Sequence, residues 1–133
     1  MVSSTVLVVE TASTARDALV ALLRDADLEV TVLAEGGNPA GQMVAVVSVD
    51  QGDATAIRRL VALHQPPEII ALIEYGAATD ALMALRAGAS DYVTKPIRAD
   101  ELLVVIAKAI ERHALQREVL RLRELLTHVK HPI

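Results

Sequence analysis

Five short apolar runs, separated by stretches of helical periodicity, constrain this chain more than any other feature. Thr5–Val9 (TVLVV), Leu28–Leu33, Val44–Val49 (VAVVSV), Ile69–Ile73 (IIALI) and Asp91–Thr94 (DYVT) have strand length, and most are rich in β-branched residues. Runs that are apolar throughout, instead of alternating, belong to strands covered on both faces. Between them, apolar residues recur three and four apart. Ser13 reads as the N-cap of a helix to about Asp25, with Ala15, Ala18, Leu19, Leu22 and Leu23 on one face. Asp53 or Thr55 is expected to cap a helix to about His64, which Gln65-Pro66-Pro67 ends. Thr79–Ala87 is a further helix, stopped by Gly88. Asp100 begins a long one, with Asp100 and Glu101 near its positive dipole end. Glu35-Gly36-Gly37-Asn38-Pro39 breaks the chain and leaves room for one short helical turn before the third strand. Strands alternating with helices predict an α/β domain, a doubly wound parallel sheet of five strands.

Composition narrows the chemistry. With 53% hydrophobic residues over 133 positions the chain can bury one core, and with two Tyr, no Phe and no Trp that core is aliphatic. The absence of Cys excludes disulfides and thiolate metal sites and fits a reducing cytoplasm. No apolar stretch approaches the ~20 residues that cross a bilayer, and the opening MVSST has no signal-peptide pattern. A net charge of −4 with scattered basic residues argues against direct nucleic-acid binding. His64, His113, His128 and His131 show no metal-ligand spacing and are assigned to solvated surface. Parallel α/β sheets bind ligands at the carboxyl ends of their strands, which directs attention to Glu10, Thr11, Ser48, Val49, Asp50, Ile73, Glu74 and Lys95.

Val6-Leu7-Val8-Val9-Glu10, Arg86-Ala87-Gly88-Ala89-Ser90-Asp91-Tyr92-Val93-Thr94-Lys95-Pro96 and Asp100-Glu101-Leu102-Leu103 occur in this order. Together they resemble the first strand, the "AGA-x-x-Y-x-x-KP" segment and the last helix start of a response-regulator receiver domain. The resemblance covers roughly residues 5–112. It implies a flavodoxin-like fold and a rim site where an acidic pair holds Mg2+ and an Asp at the end of the third strand takes a phosphoryl group. A Thr or Ser after the fourth strand and the Lys of Lys-Pro bind that group. An acyl phosphate needs a hard cation, a carboxylate nucleophile and fixed positive charge.

Against that pattern, the acidic pair reads Glu10-Thr11, the hydroxyl position aligns with Ile73, and the next residue, usually small, is Glu74. Lys95 is retained. Either Ser48 or Asp50 occupies the acceptor position; they lie two apart and share a face of a regular strand, so periodicity does not choose between them. We favour Ser48. Lys95 is expected to pair with Glu10, and Asp50 and Asp53 to serve as loop and cap residues. Tyr92 matches the family's switch aromatic; with Ile73 in place of the hydroxyl it is expected to be a fixed contact on an interaction face.

No helix breaker interrupts Asp100–Lys130, a span of over ~40 Å. Leu102, Leu103, Val105, Ile106, Ala109 and Ile110 are expected to cover the sheet. Beyond Glu111, Leu115, Val119, Leu122, Leu126 and Val129 recur with spacing 4, 3, 4, 3, a heptad seam flanked by Gln116, Glu118, Arg123 and Lys130. The expected organisation is a receiver-like domain over 1–112 and a coiled-coil extension over 113–133 that joins two chains. Receivers of nitrogen-regulator-type transcription activators look similar here, running through such a linker into an ATPase. A fragment and a whole protein both remain open.

The expected function is an atypical, phosphorylation-independent receiver, not an enzyme, that signals by protein contact and dimerisation and needs no cofactor. The alternative is a working receiver, phosphorylated on Asp50 by a histidine-kinase relay with Mg2+ on Glu10 and Asp50, that controls an output domain. The third is a small-molecule sensor.

Overall fold

The computed structural model describes residues 4–33 and 39–129. β1 (Thr5–Val9), β2 (Glu29–Val32), β3 (Val44–Val49), β4 (Glu68–Ile73) and β5 (Asp91–Thr94) form one sheet in the order β2-β1-β3-β4-β5, with every pair parallel. The helices are α1 (Ser13–Asp25), α2 (Thr55–Val61), α3 (Ala78–Ala87) and α4 (Ala99–Val129). The doubly wound five-stranded sheet expected from the apolar runs is present. Its strand order reverses between β1 and β3, where the carboxyl ends of such strands open a crevice.

The two sheet faces are read off residue parity, because side chains alternate along a strand. Val6, Val8, Val44, Val46, Ile70, Leu72 and Val93 pack on one face against Leu19, Leu23, Leu102 and Ile106 of α1 and α4. Leu7, Ala45, Val47, Val49, Ile69, Ala71 and Ile73 pack on the other against Ile57 and Leu60 of α2 and Ala81 and Ala84 of α3. The core is aliphatic throughout. Gly88 closes α3 at φ 123°, where a Cβ would stand 2.6 Å from Val61 Cγ2, so the αL-side turn and the approach of α2 both require glycine.

Several local expectations are corrected. Ser13 is the first helical residue and Ala12 the N-cap, with no side-chain capping bond; the turn is instead held by Glu10, whose Oε2 accepts from Ala12 N–H at 3.3 Å. Likewise α2 is capped at Ala54, not Asp53 or Thr55, although Asp53 Oδ1 accepts from Thr55 N–H at 3.0 Å. Hydrogen bonding from the Thr55 side chain, and then from its N–H, holds the Asp53 carboxyl below its ordinary pKa. α2 stops at Val61, short of His64, where the last turn tightens through Leu63 N–H to Leu60 O; Pro66 restricts only Gln65 before it. Of the breaker Glu35–Pro39, residues 35–38 fall outside the described residues, and the short helical turn expected between it and the third strand is absent from 39–43.

His113 is not a surface residue. It is 6% exposed and continues the buried stripe Leu102, Ile106, Ala109 by one more turn, so α4 stays packed one residue past the expected boundary. Burial and the nearby Arg117 lower its pKa, and Glu68 opposes them. From Ala114 to Thr127 every residue of α4 is exposed.

Candidate functional site

Strand parity assembles the rim. Glu10 extends the row Val6, Val8; Ser48 and Asp50 extend Val44, Val46; Glu74 extends Ile70, Leu72; Lys95 extends Val93. All five therefore stand on the α1/α4 side at the carboxyl end of the sheet. Lys95 is held in place by its own backbone, its N–H donating to Ile73 O at 2.8 Å, and the following Lys95–Pro96 peptide is cis.

Lys95 Nζ is the hub. It donates to Ser48 Oγ at 2.9 Å and lies 3.5 Å from Glu74 Oε1 and 3.7 Å from Glu10 Oε1. The Lys95 and Glu10 side chains are 22% and 5% exposed, whereas Glu74 is 62% exposed. The expected Lys95–Glu10 pair is thus present, with Ser48 and Glu74 added. Desolvation offsets much of the attraction in such a half-buried cluster, so removing one partner costs more than the intact pair contributes.

Asp50 lies one residue beyond β3, exposed, on the wall of a cleft of about 570 Å³ that it shares with Glu10, Glu74 and Lys95. Its carboxylate has no ion-pair partner among the described residues. The turn after it uses left-handed backbone at Gln51 and Gly52. Ile73, at the expected hydroxyl position, is 1% exposed and packs into the α2/α3 core. Tyr92 is 42% exposed, on the opposite face of β5 from Val93 and Lys95.

Among the described residues, no group of three His, Cys, Asp or Glu is placed to hold a metal ion. Glu10 and Asp50 are the carboxylates nearest the magnesium pattern, and Glu10 is already opposed by Lys95.

The sequence reading missed the apolar half of the cleft: Ala12, Ala15, Ala18, Leu19, Leu22, Leu72, Pro96 and Ile97. Ala15 and Ala18 of α1, with Ala12 at its N-cap, were the available signal. It also missed a buried cluster at the opposite end of the sheet, where Ser90 Oγ donates to Glu68 Oε2 near His113. His64 is exposed, and His128 and His131 lie outside the described side chains.

No family model matches the chain. A crystal structure of NtrX from Brucella abortus in complex with ADP superposes on 92% of this chain with a TM-score of 0.80 and 26% identity. The chain has the receiver-domain fold. A response-regulator receiver domain protein from Methanospirillum hungatei shares that fold at a TM-score of 0.74 and 19% identity over 86% of this chain. Two regulatory proteins are similar by sequence. The nitrogen assimilation regulatory protein NtrX of Azorhizobium caulinodans is 34% identical over 62 residues, 47% of this chain, and the regulatory protein AtoC of Escherichia coli K12 is 34% identical over 59 residues, 44% of it. These matches span only 14% and 13% of the two regulators, and the receiver fold here corresponds to 29% of the Brucella NtrX chain. No helix among the described residues is long and apolar enough to cross a membrane.

Proposed function

We propose that this receiver fold signals by protein contact without aspartyl phosphorylation, and that two chains join through the projecting half of α4. The observation that carries the first part is the identity of the side chain at Lys95: a serine hydroxyl at 2.9 Å, with two carboxylates inside 4 Å of the same ammonium. A hydroxyl there supplies no acyl-phosphate nucleophile, and Glu10 and Glu74 already neutralise the charge that would hold a phosphoryl group. Ser48 takes the acceptor position in this reading, and no magnesium ion is required.

Leu115, Val119, Leu122 and Leu126 are 61%, 45%, 46% and 57% exposed; the Val129 side chain lies outside the description. They form the seam of a parallel two-stranded coiled coil, with Val119 and Leu126 at a and Leu115 and Leu122 at d. In that register Glu118 at g faces Arg123 at e of the second chain. Burying each leucine contributes roughly 1.5–3 kcal/mol, which a lone helix forgoes. Leu85 of α3, Tyr92 of β5 and Val104 of α4, all exposed, supply a second contact face for a histidine kinase or output domain.

The test is incubation with acetyl phosphate and Mg2+, followed by intact mass. No gain is expected. Asp50 lines the same cleft and is the one residue that supports the second reading, a magnesium-dependent phosphorelay. A stable gain of one phosphoryl group that disappears in Asp50→Asn establishes that reading instead.

A further inference from the structure

We propose that His113 is a proton-operated latch at the root of the projecting half of α4: uncharged, it holds the helix against the sheet, and charged, it turns out into the adjoining cleft and releases one more turn. The place of the residue in the fold carries this. Leu102, Ile106, Ala109 and His113 form the buried stripe of α4, and His113 is its last member. Every residue from Ala114 to Thr127 is exposed. The contact that ends the attachment of the arm to the domain is therefore made by the one titratable side chain in the stripe.

His113 is also poorly paired where it sits. Its side chain is buried, and Nδ1 meets no hydrogen-bond partner among the described residues. A buried ring nitrogen without a partner carries a cost that a leucine at this position does not. The groups around it decide what a proton does. Burial opposes the imidazolium most, and Arg117, one turn further along α4, opposes it as well. Glu68 of β4 favours it, but that carboxylate already accepts the Ser90 hydroxyl. The ring thus resists protonation in place. Beside it lies an open cleft of about 570 Å³ between α4 and the connection from α2 to β4, lined by His64, Arg117, Glu118, Arg121 and Glu124 among others. Arg121 and Glu118 neutralise each other there, and solvent reaches a ring that enters. Released, His113 takes the proton at its ordinary value of 6.5; packed, it does so only below that value. Release is therefore favoured as pH falls below about 6.5, by at most tenfold per pH unit.

The latch concerns how one chain holds its own helix, and it stands whether or not two chains join. It is tested on the full chain by amide hydrogen exchange, with rates normalised to the intrinsic rate at each pH. Between about pH 7.5 and about pH 5, protection of Ile110–His113 is expected to fall roughly fivefold or more while Leu102–Ala109 keep theirs. His113→Phe, which keeps a buried ring and removes the titration, is expected to abolish the change; His64→Gln, which removes the other histidine of the cleft, is expected to preserve it. Arg117→Gln, at an exposed position that leaves the core intact, is expected to move the midpoint to higher pH. Protection that does not depend on pH, a fall that persists in His113→Phe, an equal loss over Leu102–Ala109, or a midpoint unmoved by Arg117→Gln overturns the proposal.

Discussion

The two halves of α4 carry the same kind of side chain under opposite conditions. In the first half Leu102, Ile106 and Ala109 are 0%, 1% and 1% exposed; in the second Leu115, Leu122 and Leu126 are 61%, 46% and 57% exposed. Composition does not separate them. What separates them is that β3, β4 and β5 lie opposite the first half, while the second runs past the end of the sheet. Apolar periodicity therefore states that a helix face will be covered, not what will cover it. Within the first half the covering surface is in the same chain; for the second, a copy of the chain is the proposed cover.

The comparison breaks most visibly at the buried end. Ile106→Ala is expected to lower unfolding free energy by about 2–5 kcal/mol in urea titrations, whereas Leu122→Ala, measured on dilute monomer, is expected to stay within about 0.5 kcal/mol of the parent. Equal losses at the two positions would mean that the projecting half folds back onto the domain. Next in size is the exposed seam. Leu122→Asp with Leu126→Asp is expected to raise the dimer dissociation constant in sedimentation equilibrium at least 100-fold, about 2.8 kcal/mol, and to leave the domain's own unfolding unchanged. If the parent chain sediments as a monomer at high concentration, the heptad assignment fails.

A smaller effect belongs to the junction. His113 has a folded-state pKa below its ordinary value of 6.5, lowered by burial and Arg117 and raised by Glu68. The unfolded chain therefore binds the proton more readily. Stability is expected to be at its full value above about pH 6.5 and to decline as pH falls below it, until the folded state also takes up the proton. The decline should flatten in His113→Gln. The smallest effect tests helix direction. Glu118→Lys and Arg123→Glu are each expected to weaken the dimer a few-fold, and the double exchange to restore it; an antiparallel pairing gives no rescue. Glu118 now pairs with Arg121 of its own helix at 2.6 Å, which competes with the contact across the seam.

Much of the fold was legible in the sequence. The runs Thr5–Val9, Val44–Val49 and Asp91–Thr94 are β1, β3 and β5 with the same bounds; the first two are apolar or β-branched to nearly every position and stop at a charged residue, and the third lies between the Gly88 turn and Lys95-Pro96. Helix starts were less legible. Ser13 and Asp53 have capping chemistry, but Glu10 and the Asp53–Thr55 contact had already committed the preceding backbone. The choice between Ser48 and Asp50 was invisible to a period of two. It depends on how far past the sheet edge each residue sits relative to Lys95, and that distance is set by the register of β3 on β4 and of β4 on β5. His113 was legible in principle, since its spacing continues Leu102, Ile106 and Ala109; its polarity obscured the pattern.

One further consequence follows from α4 being a single uninterrupted helix. Its root is wedged against the sheet, and about 14 residues stand clear of it, an arm of roughly 21 Å at ~1.5 Å per residue. Tilting the root by about 5° sweeps the far tip through nearly 2 Å, by the geometry of a rigid rod of that length. A shift too slight to disturb the aliphatic packing becomes, at the tip, large enough to change the meshing of side chains. Any tilt of the root thus displaces the distal end farther than it displaces the packed half.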